Sequence, residues 1–204
     1  MSGFWARFAQ RVKRVGDVTM LENRFLPMLE VNAAYGAEAL EQPISIRLEG
    51  SRLNGDDLAG TLIALEFKAV ELTSSLWVEQ VAWTQAPQLA RIWCDQNAAG
   101  DWESFVSREF ARSLERDTEL LAYLAYRDDN AAGMMIASSD GICGLWAGAN
   151  DVAQALFARG AHDFERLEVT VPLERRHDLE AIETARFEIV VTGNSDRHSL
   201  EASR

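Results

Sequence analysis

The sequence predicts an α/β protein: one mixed sheet flanked by helices, with a partial strand-helix-strand repeat near the N-terminus. Three observations predict it. Apolar residues recur at helical spacing twice between residues 87 and 114. Strand-like runs bounded by turn residues fill 120–147, and helix and strand patterns then alternate to residue 191.

The elements follow in order. Phe4, Phe8, Val12 and Val15 recur at helical spacing with Trp5 beside them, predicting one amphipathic helix whose other face carries Arg7, Arg11, Lys13 and Arg14. Its charge opposes that of the rest of the chain. It is therefore expected to dock on the protein itself or on a second copy, with a membrane surface as the alternative. Between 21 and 40, Pro27 interrupts any helix and Tyr35-Gly36 marks a turn. Residues 44–48 alternate as a strand, Asn54-Gly55-Asp56-Asp57 supplies a turn and a helix cap, 58–65 reads as a short helix, and 67–78 is β-like.

Residues 78–83 are strand-like, and Pro87 suits the first turn of a helix running to Gln96. Trp102, Phe105, Val106, Phe110 and Leu114 form one stripe of a second helix. The apolar run 120–126 reads as a central strand. Asp128-Asp129-Asn130 turns the chain, 133–137 returns antiparallel, and Asp140-Gly141 is a hairpin signal leading into 142–147. Asn150 or Asp151 then caps a helix over 152–159 that Gly160 stops. A strand at 167–171, a helix at 178–184 and a strand at 187–191 complete the pattern, and 193–204 is a polar tail.

The units 44–72 and 167–191 share a grammar: a strand, an Asp-Leu helix start (Asp57-Leu58, Asp178-Leu179), and a strand entered at Phe67 or Phe187. The N-terminal part thus reads as a partial copy of the C-terminal half.

Composition narrows the function classes. With 48% hydrophobic and 25% charged residues the chain is globular rather than disordered. A formal charge of −12 repels phosphate backbones, so nucleic acid is not an expected partner. No apolar run reaches the roughly 20 residues of a membrane span, and four basic residues break the N-terminal stretch. A cytoplasmic location is expected. Cys94 and Cys143 sit in apolar surroundings as core thiols, and His162, His177 and His198 form no zinc pattern.

From 78 to 191 this order of elements resembles the GNAT superfamily of N-acetyltransferases. The carrying features are the meander over 120–147, the Gly160-ended helix, the strand 167–171, and Ala185-Arg186-Phe187-Glu188, which resembles the family's Gly-Phe entry into its last paired strand. Residues 1–77 resemble the truncated N-terminal half of tandem members, giving units at 1–77 and 78–192 and a tail at 193–204. The resemblance implies transfer of an acyl group from acetyl-CoA to a small amine or a protein amine. It also implies that strands 142–147 and 167–171 are parallel neighbours that splay at one end to receive the cofactor.

The resemblance places the cofactor on Leu145, Trp146, Ala147, Gly148, Asn150 and Asp151. The backbone of Leu145 and Trp146 would pair with the pantetheine arm. The following loop would hold pyrophosphate through N–H groups at a helix N-terminus, where the dipole favours an anion. The segment 146–152 has one glycine, no arginine, and is shorter than the family's Gln/Arg-x-x-Gly-x-Gly/Ala loop. Asp151 also puts a carboxylate where phosphate would sit, so weak or absent acetyl-CoA binding is expected. The family needs a base and an acid for its proton transfers; the nearest candidates are Glu168 and Tyr126. No tyrosine follows Tyr126, so 178–184 offers none in the family's usual acid position. A second reading follows from these departures: a GNAT-shaped binding or structural domain without catalysis.

Overall fold

The computed structural model describes residues 2–36, 44–48, 56–67, 76–173 and 181–192. Helix α1 (Ser2–Ala6) leads into the hairpin β1 (Arg11–Val15) and β2 (Val18–Glu22), then β3 (Ala34–Tyr35), β4 (Ile44–Leu48) and β5 (Asp56–Phe67). After β6 (Trp77–Val81) come helices α2 (Ala86–Asn97) and α3 (Glu103–Arg116) and the strands β7 (Leu120–Arg127), β8 (Asn130–Ser138) and β9 (Ile142–Ala147). Helix α4 (Asn150–Asp163), β10 (Leu167–Pro172) and β11 (Ile182–Thr192) complete the described chain. Among these residues the strands form one mixed sheet in the order β1-β2-β3-β4-β11-β5-β10-β9-β8-β7-β6. No helix among them is long and apolar enough to cross a membrane.

The sheet is covered on both faces, and period-two alternation decides which side chain joins which layer. Leu62, Ala122, Leu124, Met134 and Ile136 point towards a core completed by α1, α2 and α3. Their neighbours Ile63, Leu65, Tyr123, Ala125, Met135 and Ala137 pack beneath α4 with Val152, Leu156 and Phe157. Cys94 and Cys143 are free and buried, and burial pushes the Cys94 thiol up to about 11.

The meander over β7, β8 and β9 forms as the sequence predicts. Asp128 and Asp129 adopt φ of 49° and 62°, the left-handed turn that joins β7 to β8. Gly141 at φ 79° lies between β8 and β9, where a Cβ would stand 2.0 Å from the Arg166 carbonyl oxygen. Pro87 lies in the first turn of α2. Across the β4–β11 seam Arg47 faces Glu188, both buried, which sets opposite charges at one register position.

Four sequence expectations are corrected. The N-terminal helix covers only Ser2–Ala6, and Val12 and Val15 lie on strand β1 with 48% and 38% exposure. Gly16 at φ 56° turns the chain there, so helical spacing beyond Phe8 is coincidental. Its docking part holds: Phe4, Trp5 and Phe8 are buried, and Arg7 pairs with Asp117 at 2.6 Å and Glu119 at 2.9 Å.

Residues 58–65 are strand, not helix, so the first echoed unit is strand followed by strand. Ile182, Glu183 and Thr184 also belong to β11 rather than to a helix; the remainder of that expected helix, like residues 68–75 and 193–204, lies outside the described residues. Gly160 does not stop α4, which runs on to Asp163. It is a packing glycine: a Cβ there would meet Leu167 Cδ1 at 2.5 Å and Met135 Cε at 2.9 Å.

Candidate functional site

Strands β9 and β10 are parallel neighbours, but they pair only at Ile142–Glu168 and Cys143–Val169. Beyond that point β9 stays on β8 as far as Ala147, while β10 stays on β5 as far as Pro172. The two strands therefore part, leaving the Leu145–Trp146 side of β9 without a strand neighbour in the gap. This is the splay that the family resemblance implies.

Helix α4 begins just past the end of β9. Its cap position is Ala149, without a side-chain cap bond, which corrects the expectation of Asn150 or Asp151 as the cap. Asp151 lies one residue into the helix, and its Oδ1 accepts the Val152 N–H at 3.0 Å. Its other oxygen accepts from the Arg127 guanidinium, and this bond holds the carboxyl below the usual aspartate range. The carboxylate in the first turn is thus matched by a cation reaching across from β7. At Gly148 a Cβ would stand 3.0 Å from the Gln96 amide nitrogen, so the end of α2 closes on this loop.

On the α2–α3 face a cavity of about 600 Å³ opens beside the splay. Its floor includes Leu62 of β5, Pro172 of β10 and Ile189 of β11; its walls include Trp146 of β9, Trp93 of α2, and Trp102 and Asp101 from the turn before α3. Trp146 is held in place from behind. Its ring folds over Gly144, where a Cβ would lie 2.5 Å from the indole, and meets Trp5 edge-to-face at 6.3 Å. Trp5 packs on Phe4 and Phe8, and Phe8 meets Phe110 edge-to-face at 6.2 Å.

Glu30 also lines the cavity, on the 3-10 turn Leu29–Val31. The Tyr35 hydroxyl donates to the Glu30 carbonyl oxygen at 2.6 Å and anchors that turn. Burial pushes the Glu30 carboxyl above its ordinary range, partly offset by a bond from its own backbone N–H.

Of the residues named from the sequence, Trp146 lines this cavity. Glu168 sits at the opposite end of β10, beside Arg166 at 3.4 Å, which also pairs with Glu66 at 2.7 Å. The Tyr126 hydroxyl donates to Glu79 at 2.7 Å, with Gln88 Oε1 at 3.4 Å, and its ring stacks on Trp77 at 5.3 Å. Burial and the Glu79 bond push its pKa up to about 12. It lines a smaller cavity of about 250 Å³ with Arg91 and Asp95.

Glu168 faces Ile142 at the start of β9, whereas Tyr126 faces Ala131, beyond the residue opposite Ala147 at the end of β9. The two do not meet. Glu30, Trp93 and Trp102 are the residues sequence reasoning missed at the cavity. Trp102 stood out only as part of a helical stripe, and nothing around Glu30 sets it apart in the sequence.

No family model matches the chain, and no curated protein matches it. Solved structures match its fold. A functionally unknown conserved protein from Staphylococcus epidermidis aligns with TM-score 0.63 at 7% identity, over 90% of this chain and 94% of that one. A GCN5-related N-acetyltransferase from Kribbella flavida aligns with TM-score 0.55 at 11% identity, over 95% and 94%. A GNAT-family protein from Novosphingobium aromaticivorans aligns with TM-score 0.53 at 11% identity, over 91% and 92%. The chain spans less than half the length of some longer proteins that it matches. Its fold is that of the GCN5-related N-acetyltransferases.

Proposed function

We propose that this protein is a divergent acyl-CoA-dependent acyltransferase with an amine acceptor. The observation that carries the reading is the splay: two paired positions between β9 and β10, then divergence, with an α4 N-terminus and a large cavity beside it. The edge of β9 suits the cofactor's pantetheine arm, whereas the start of α4 suits its pyrophosphate less well. The free side of β9 at Leu145 and Trp146 offers backbone groups to the pantetheine amides as an added strand would. At the start of α4 the Val152 N–H is already bonded to the Asp151 carboxylate, which Arg127 also holds, so pyrophosphate would have to displace that carboxylate to reach the helix N–H groups.

When bound, acyl-CoA supplies a thioester carbonyl on which an amine nitrogen forms an amide as the C–S bond breaks and the thiol leaves. Glu30 is suited to take the ammonium proton because it lines the cavity and its carboxyl is pushed up from its ordinary value by burial. Neither Glu168 nor Tyr126 lines that cavity, whose carboxylate residues are Glu30 and Asp101; of these Glu30 is the candidate base.

Thermal shift and calorimetry with acetyl-CoA and free CoA test the reading. Ligand at 100 times its dissociation constant stabilises the fold by about 2.7 kcal/mol, a rise in Tm of roughly 5–11 °C for a chain of this size. No shift at millimolar acetyl-CoA supports the second reading, a GNAT-shaped binding domain, which the carboxylate of Asp151 in the first turn of α4 favours.

A further inference from the structure

Three of the chain's six tryptophans, Trp93, Trp102 and Trp146, line the one cavity beside the splay. Two carboxylate residues, Glu30 and Asp101, line it too, and among the described residues no Lys, Arg or His does. At about 600 Å³ it falls in the range of small-molecule sites. The indoles differ in access. Trp93 is 4% exposed and forms part of the fixed wall, whereas Trp102 is 39% exposed at the rim. The Asn97 amide is already committed to the Trp93 carbonyl at 2.8 Å, so one of the few neutral polar groups there is engaged.

We infer that this cavity binds a small organic monocation with an apolar body, of the arylalkylamine class, its ammonium beside Glu30 and the indoles and its body over Leu62 and Ile189. The chemistry follows from the lining. Indole is the best aromatic partner for a cation, and the attraction grows as water is excluded. The carboxylates add charge complementarity, while an anionic ligand would meet two like charges and no counter-charge. A polyhydroxylated ligand would desolvate hydroxyls against indoles and aliphatic side chains with few partners to replace water. As an acceptor site this deepens the transferase reading and rests on it; as a binding site it is testable without any acyl-CoA.

The experiment is a calorimetric and tryptophan-fluorescence titration of the full chain, with no acyl-CoA present. The probes are 2-phenylethylamine, phenyltrimethylammonium, neutral 2-phenylethanol and anionic phenylacetate. Both cations should bind and quench the indole emission, at least about tenfold more tightly than the alcohol, with phenylacetate not binding. Trp102→Ala should weaken both cations about tenfold. Glu30→Gln should weaken the cations while leaving the alcohol unchanged. Circular dichroism confirms that each variant is folded, and Asp101→Asn serves as a second charge variant should Glu30→Gln unfold.

Equal affinity for the alcohol or phenylacetate, no binding by either cation, or cation affinity untouched by Trp102→Ala and by the charge variants would overturn the inference. The acetyl-CoA titration stands apart. Cation binding without acetyl-CoA binding keeps the cavity and removes the transferase; acetyl-CoA binding without cation binding does the reverse.

Discussion

Replacing Trp5 by Ala measures how firmly the N-terminal segment is built into the protein. Trp5 is 3% exposed, and its ring touches Phe4, Phe8 and the cavity residue Trp146. A buried aromatic of this kind removes about 150–250 Å² from water. At roughly 25 cal/mol per Å² that is about 4–6 kcal/mol, an upper bound because the unfolded chain is already partly compact. Large-to-small replacements of buried aromatics cost about 3–5 kcal/mol, which agrees. For a chain of this size the Tm should fall by roughly 6–20 °C.

Urea unfolding of wild type and Trp5→Ala, with the slope held constant, gives the free-energy difference directly. The variant should also bind cavity ligands less well, since Trp146 loses the ring behind it. A loss below about 0.5 kcal/mol, within the range of surface substitutions, would refute the packed placement of the segment. Unchanged stability together with lost binding to anionic vesicles would move it to a membrane surface instead.

Two further outcomes follow from the packing of α4. Gly160→Ala gains about 1 kcal/mol in helix propensity but forces a Cβ into buried Leu167 and Met135, an overpacking cost of about 1–3 kcal/mol. A net loss of up to about 2 kcal/mol is expected by chemical denaturation, and a stabilised variant would show that the close approach is not needed. Burial alone would raise the Asp163 carboxyl, but bonds from His162, Tyr123 and Arg159 outweigh it and hold the group below its ordinary range. Its contribution is therefore present above the unfolded aspartate pKa and disappears as pH falls through the folded one. Asp163→Asn should be less stable than wild type near neutral pH and converge with it in acid, read by urea titration; a gap that persists in acid would exclude the charge as its cause.

The stretch from Pro87 to Ala147 was legible because its turn chemistry is local. Asp128-Asp129-Asn130 and Asp140-Gly141 specify their own geometry, and Pro87 marks a helix start whatever packs on it. Strand β5 was not legible. Leu62 faces one core while Ile63 and Leu65 face the other, so a strand covered on both sides shows a continuous apolar run that suits a helix equally well. Gly160 misled for a related reason: its role is set by Leu167 and Met135, which only the fold brings to it. At the N-terminus the Gly16-Asp17 turn between Val15 and Val18 was a readable hairpin signal that the helical spacing of four residues overrode. Of the cavity residues, Trp146 was named from the sequence only as a cofactor contact implied by the family resemblance, whereas Glu30 meets the cavity only through tertiary approach.

The placement of β5 also governs how the chain can be made. Both of its neighbours, β10 and β11, are synthesised long afterwards: the Thr184 hydroxyl meets the Ala64 carbonyl across 120 residues of sequence. At about 5–20 residues per second, β5 waits roughly 6–24 s on the ribosome with both edges open. Such a strand, rich in Leu and Ile, is exposed to pairing with other nascent chains during that interval. β11 then inserts between β4 and β5, so the last described strand is the one that joins the first four to the remainder. Until it arrives there are two sheets rather than one.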